Sequence, residues 1–262
     1  MPFRGKRSNR GSPRKTMKNR KMAKPKVSKA VKTYVKKAIH TSQENKLWVR
    51  YATADTITTA GAGSNPEFIN LVPYPSQSTT GTQFQRIGNK IKVVKAFIRG
   101  HVSLKPYSST LNPKVGPIMI KMWLVRNKSI NSGDISLTSC STNFFEAQTT
   151  FTGFQGNLLD MELTNNKEDW IVYKTKTFEL GTTGINTSVN PGIAVDNSNY
   201  IRPFYFSYGK HLRKQLNYDV NGNAPTNTNL FLITQAVYAD GSSTAVDAAQ
   251  YTYALRCEFE DA

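Results

Sequence analysis

The stretch Ile87-Gly-Asn-Lys-Ile-Lys-Val-Val-Lys-Ala-Phe-Ile-Arg-Gly-His-Val-Ser-Leu104 decides the fold. Apolar and polar residues alternate along it, the period-two pattern of a half-buried strand. Ile91 and Val93 share one parity, whereas Ala96, Ile98, Val102 and Leu104 share the other. A one-residue slip would turn every later side chain to the wrong face, so a bulge at Val93-Val94 is predicted. With that bulge one apolar face runs the whole length, and Lys90, Lys92, Lys95, Arg99, His101 and Lys105 point the other way.

The same signal recurs on both sides of this ribbon. Leu47–Ile57, Phe68–Val72, Ile118–Val125, Trp170–Leu180, Pro203–Tyr218, Leu230–Ala239 and Tyr251–Phe259 all read as strands. In the last, Tyr251, Tyr253, Leu255, Cys257 and Phe259 fall inward, while Thr252, Arg256 and Glu258 fall outward. About eight strands without intervening helices predict an all-β fold. An eight-stranded jelly-roll sandwich over residues 41–262 fits best; an immunoglobulin-like sandwich, with shorter and more even spacing, is the alternative.

Two connections are long. Ser129–Asp169 has little periodicity apart from a turn of helix expected around Phe144–Gln148, and Gly181–Tyr200 is rich in Asn, Thr, Ser and Gly. Connections of this length are usually functional or engaged by partners. Their uncharged polarity suits subunit contacts or an outer surface.

Charge is divided unevenly. The 262 residues carry 35 Lys and Arg against 17 Asp and Glu, a net of +18. Residues 1–40 hold 15 of those cations and no acid, which leaves 20 basic against 17 acidic side chains in the rest. The first 26 residues are dominated by Arg, Lys, Gly, Ser and Pro, and are expected to be disordered when free. Their cations are Arg4, Lys6, Arg7, Arg10, Arg14, Lys15, Lys18, Arg20, Lys21, Lys24 and Lys26. So dense a block needs a polyanion, and nucleic acid supplies one through counterion release, without sequence preference and without separating DNA from RNA. Arg14-Lys15 and Arg20-Lys21 also suit a nuclear import signal.

Residues 27–39 change character. Val27, Val31, Tyr34, Val35, Ala38 and Ile39 recur at helical spacing, with Lys29, Lys32, Lys36 and Lys37 between them. This predicts a short amphipathic helix whose apolar stripe docks on the body while its lysines face phosphate; a membrane-surface helix reads similarly.

The body offers two further candidate contacts. The basic face of Lys90, Lys92, Lys95 and Arg99 is either a phosphate-tracking inner surface or a solvated or subunit-contact face. In the stretch from Arg202 to Lys214, aromatics interleave with bases, a pattern able to stack bases and neutralise phosphate. Phe204, Phe206 and Tyr208 share one parity and are read as core, leaving Lys210, Arg213 and Lys214 as phosphate contacts.

Several classes are excluded. No run of 18 apolar residues is present to span a membrane, and the charged start lacks the apolar stretch of a secretory signal. Cys140 and Cys257 are too few for a disulfide framework and read as buried thiols. His40, His101 and His211 include no clustered pair for a metal-binding jelly roll, so no metal or cofactor is expected. Glu168-Asp169 and Glu260-Asp261 read as solvated strand ends rather than an acid/base pair, and no motif for catalysis occurs.

Gln85-Arg-Ile-Gly-Asn-Lys-Ile-Lys-Val-Val-Lys95, Phe68-Ile-Asn-Leu-Val72 before it, and the C-terminal pair Asn229–Ala236 and Gln250–Phe259 together resemble the capsid proteins of small circular single-stranded DNA viruses, circoviruses and their relatives. The arm here mixes Lys with Arg, whereas circovirus arms are richer in Arg. The resemblance implies a subunit that self-assembles, about sixty copies to a shell, around circular single-stranded DNA. Fifteen arm charges on each copy would give on the order of 900, roughly half the phosphates of a two-kilobase genome. It further implies entry to the host nucleus through import receptors, a cell-surface receptor for the outer loops, and residence in the virion. Two rival classes stand beside it, a cellular nucleic-acid-binding β module and a jelly-roll enzyme or lectin with a targeting arm; a single-stranded RNA virus coat protein is a variant of the capsid reading.

Overall fold

The computed structural model describes residues 28–42, 45–59, 66–78, 82–105, 117–133, 143–148, 150–181, 185–186, 193–194, 200–241 and 247–261. The chain forms two units, Met1–Ser42 and Gln43–Ala262. In the first, Lys29–Ser42 is an α-helix (α1), later by a few residues than the predicted 27–39.

The second unit is built on eight strands: β1 (Lys46–Ile57), β2 (Glu67–Asn70), β3 (Lys90–Leu104), β4 (Ile118–Asn127), β5 (Trp170–Leu180), β6 (Ile201–Ser207), β7 (Phe231–Tyr238) and β8 (Ala249–Asp261). Sheet A has the order β1-β8-β3-β6 and sheet B the order β2-β7-β4-β5. Every neighbouring pair is antiparallel. The first strand thus pairs with the last, the second with the seventh, the third with the sixth and the fourth with the fifth. This nesting is a long hairpin rolled into two sheets, the jelly roll, and it rules out the immunoglobulin-like alternative.

Ile91, Ala96, Ile98, Val102 and Leu104 of β3 pack with Tyr251, Tyr253, Leu255, Cys257 and Phe259 of β8 and with Ile118, Ile120, Met122 and Leu124 of β4 in one core between the sheets. The bulge lies where the alternation requires it. Lys95 pairs with Glu258 and Val93 with Phe259, so Val94 has no partner across the ladder and turns outward, 49% exposed.

The predicted strand Pro203–Tyr218 is interrupted. β6 ends at Ser207, Gly209–His211 forms a 3-10 turn, and Gln215–Asn217 resumes as a short strand. Both pieces pair with β3, at Phe97–Ser103 and at Lys90–Lys92, on either side of its bulge. The extra residue bends β3, so the neighbouring chain leaves the ladder there and rejoins beyond it. Tyr208 N donates to Ala96 O and Val93 N to Lys214 O, both at 3.0 Å, which anchors the detour at each end.

The two central strands of sheet B are covered on both sides. Every residue of β7 is buried and β4 is buried nearly throughout, which is why their sequences read as continuous apolar runs rather than alternations. The outer cover is the connection between β4 and β5. Its Phe144, Phe145, Phe154 and Met161 pack with Trp123 and Val125 of β4, Trp170 of β5, and Phe231, Ile233 and Val237 of β7 in a second core. The Trp123 ring meets those of Phe144, Phe145 and Phe154 edge-on at 5.7–6.1 Å between centroids. The expected helical turn at Phe144–Gln148 is instead a strand, Phe145–Ala147, hairpinned with Thr150–Thr152, and a helical turn lies later, at Leu159–Glu162. Asp160 is buried in this cover, its carboxylate accepting from Gln155 N, Gly156 N and Gln235 Nε2 at 2.6–2.8 Å. The reading of this connection as polar outer surface is therefore corrected for residues 143–169. Its rings follow no period and show their common purpose only after folding. Of the stretch 182–199, only Ile185–Asn186 paired with Ile193–Ala194 is described.

Candidate nucleic-acid interface

Arg4 through Lys26 lie outside the described residues, as do the side chains of Lys36 and Lys37. In α1, Ser28 caps the helix through Oγ, which accepts from Val31 N at 3.3 Å. Lys29 and Lys32 are exposed, and no acid occupies the first turn to complement the helix dipole. Lys29 and Lys32 are three residues apart, so like charges repel along one face. Val31, Tyr34 and Val35 stand exposed beside them. A helix of 14 residues with this charge pattern is marginal alone, and neutralisation of its lysines would stabilise it.

The basic face of β3 divides into two parts. Lys92 is held by Glu260 at 2.8 Å, and Glu260 is buried, so this lysine serves the sheet. Asp261 is likewise held by the buried Lys46 at 2.6 Å. The reading of Glu260-Asp261 as a solvated strand end is corrected: both carboxylates are ion-paired within sheet A. In the other pair Glu168 is exposed, as expected, but Asp169 accepts hydrogen bonds from Ser129 Oγ and Asn143 Nδ2. Lys90, Lys95 and Arg99 are exposed, and none of the three forms an ion pair among the described residues. Lys95 Nζ lies 5.5 Å from the Phe97 ring centroid.

Lys210, Arg213 and Lys214 are exposed on the detour between β6 and the short strand Gln215–Asn217. Phe204, Phe206 and Tyr208 are buried, as their shared parity predicts. The intervening Tyr205 points out of sheet A, 47% exposed. Two lysines missed by sequence reading join this group. Lys174 and Lys176 of β5 have Nζ atoms 5.9 and 5.4 Å from the Phe206 ring centroid. Burial, and then the neighbouring Lys174, holds Lys176 below the usual lysine range. His211 stacks on Tyr173 at 4.0 Å, and burial, followed by Lys210, lowers its pKa. The alternation Tyr173-Lys-Thr-Lys176 was the available signal, but the approach of β5 to β6 across the sandwich edge is long-range.

Arg86, within the stretch that resembles the capsid family, is a structural arginine. It is fully buried, donates to Gly88 O and Gly222 O at 2.5 Å, and lies 4.7 Å from the Tyr218 ring centroid. Cys257 is buried and burial pushes its thiol up to about 12, while Cys140 lies outside the described residues. Among the described residues, no group of three His, Cys, Asp or Glu side chains is placed to hold a metal, and no helix is long and apolar enough to cross a membrane.

No family model and no curated protein matches the chain. Among solved structures it is similar to the empty head of turnip yellow mosaic virus, at TM-score 0.33 and 8% identity, covering 84% of this chain and 82% of that one. Intact turnip yellow mosaic virus gives TM-score 0.31 at 8% identity over 84% and 94% of the two chains. Desmodium yellow mottle tymovirus gives 0.29 at 9% identity over 84% and 88%. Superpositions this loose carry no weight in the assignment of fold or function, and the fold rests on strand order alone.

Proposed function

We propose that this chain is a capsid protein whose jelly-roll body forms a closed shell and whose arm condenses the nucleic acid inside it. The observation that carries the reading is the partition of charge: 15 cations and no acid in residues 1–40, against a body of 20 cations and 17 acids. A jelly roll serves in viral capsids, lectins and cupins alike, so the fold alone does not choose among them. A metal-dependent cupin needs a ligand cluster, and a lectin has no use for a polycationic arm. A shell does, because co-condensing a genome requires many phosphates to be neutralised by chains that remain anchored to the wall. On this reading the body is not an enzyme. The cargo, following the sequence resemblance, is circular single-stranded DNA; the arm contributes affinity and the exposed cations Lys90, Lys95, Arg99, Lys210, Arg213 and Lys214 contribute contacts at the wall. The protein would then reside in the virion and pass through the host nucleus, with the arm as import signal.

The test is expression of the full chain, negative-stain electron microscopy of the purified fraction, and absorbance at 260 and 280 nm before and after nuclease. Uniform round particles with a nucleic-acid spectrum are expected. DNase-sensitive, RNase-resistant cargo released on disassembly supports a DNA genome, and the reverse assigns an RNA coat protein. Monomers at every salt concentration overturn the shell.

A further inference from the structure

The outer face of sheet A bears a row of side chains across four strands. Register places Tyr51 of β1 beside Ala254 of β8, Ala254 beside Arg99 of β3, and Arg99 beside Tyr205 of β6. Tyr51 is 76% exposed and Tyr205 47% exposed, although each is flanked along its strand by residues of the sheet. Strand spacing puts the two rings about 14 Å apart. Between them the surface is low at the short Ala254, and Arg99, His101, Pro203 and Tyr205 line a shallow groove beside it. The ring of Phe97 joins that of Tyr205, 5.8 Å away and tilted by 39°, with Lys95 Nζ 5.5 Å from the Phe97 centroid.

The charge of this face is positive. Glu258 is held by Arg256 at 3.1 Å, whereas Arg99 and Lys95 have no ion pair among the described residues. Single-stranded nucleic acid matches this face on both counts, because unpaired bases present flat π surfaces to tyrosine rings while phosphates meet arginine and lysine.

We propose that the Tyr51–Ala254–Arg99–Tyr205 row is a base-stacking site for single-stranded nucleic acid, tolerant of sequence. It rests on the reading that this chain packages a single strand, and adds to it a contact that discriminates single from double strands. A charged arm alone cannot do that. Bases of a duplex are paired and stacked on one another, so their faces are closed to Tyr51 and Tyr205.

The experiment uses the full chain and three probes of equal length: an oligothymidylate, an abasic strand and a blunt duplex. The variants are Tyr51→Ala/Tyr205→Ala, and Tyr51→Phe/Tyr205→Phe as the control that keeps the rings. The alanine variant should bind the oligothymidylate at least about tenfold more weakly. Its affinity for the abasic strand and the duplex should be unchanged, as should the slope of affinity against salt. The phenylalanine variant should bind like the parent. Equal losses on all three probes, or no loss on any, overturn the stacking site. So does a variant that keeps oligothymidylate binding but no longer forms particles, which would make this face a subunit contact. Electron microscopy of the parent separates the two levels of the argument: absent particles refute the shell, whereas particles with an unaltered binding profile refute only this site.

Discussion

The two sheets bury their inner faces against one another, and among the described residues sheet B alone has a cover over its outer face. Residues 143–169 spend a hairpin, a helical turn and four large apolar side chains on that cover, ringed around Trp123. Sheet A has no such cover among the described residues, and Tyr51, Tyr205, Val49 and Ile201 stand exposed on it. A bare sheet face with several large apolar side chains marks a surface that meets something else. The contrast shows where this fold uses its own chain as a cover and where the described residues leave apolar side chains exposed.

The sharpest test of the contrast is stability. Trp123→Ala should cost about 3–5 kcal/mol in urea unfolding of the body, because a buried ring is lost from a packed aromatic cluster. Tyr51→Ala should change stability by less than about 0.5 kcal/mol. Comparable losses for the two would mean that sheet A is covered after all.

Gly100 tests how closely sheet A is assembled. A Cβ there would lie 2.2 Å from Thr252 O and 2.9 Å from Tyr253 Cα, so β8 must shift to admit it. Gly100→Ala should therefore destabilise the body by about 1–3 kcal/mol. An unchanged unfolding midpoint would show that β3 and β8 have slack between them.

Adjacent positions on β8 read the two sides chemically. Cys257 is buried with its thiol pushed up to about 12, so it should resist alkylation in the native protein, while Arg256→Cys on the outer side should be labelled readily. Peptide mapping after labelling distinguishes them from Cys140. Since the folded thiol holds its proton above the unfolded value, this contribution to stability is present below about pH 8.5 and lost as pH rises toward 12. A midpoint that rises in that window contradicts the assignment.

The smallest effect belongs to Glu67 on β2, whose pKa is raised by burial, then by Asp55 and Asp247. Its folded form favours the proton, so the charge carried at neutral pH opposes folding. Glu67→Gln should stabilise the body at pH 7 by a fraction of a kcal/mol, given its partial exposure. The gain should vanish as pH falls below the carboxylate range. A gain that persists at pH 3 would assign the effect to packing instead.

These comparisons also mark what a linear reading can reach. The strand parity of β3 located its bulge, and the alternation of β8 located the core, because both are properties of one strand and one buried face. Phe204, Phe206 and Tyr208 were legible for the same reason. The detour at Gly209–His211 was not, since it answers a bend in a different strand. Nor was the cover over sheet B, where Phe144, Phe154 and Met161 come together from aperiodic positions. At the candidate interface, sequence located basic residues but not their partners. Lys92 is engaged by Glu260, whereas Tyr205, one of the interleaved aromatics, is the ring of that stretch that reaches the surface.

The nesting of the strands has a consequence for synthesis. β8 lies between β1 and β3, so sheet A lacks a central strand until Phe259 can pair with Lys46. During translation the cationic N-terminal residues leave the ribosome long before that contact exists, at roughly 5–20 residues per second. A chain cut short before β8 would still carry the charged residues but no completed sheet, and pairings between such distant residues form slowly. Folding competence is thus deferred to the last strand, and the topology acts as a checkpoint that admits only chains read through to it.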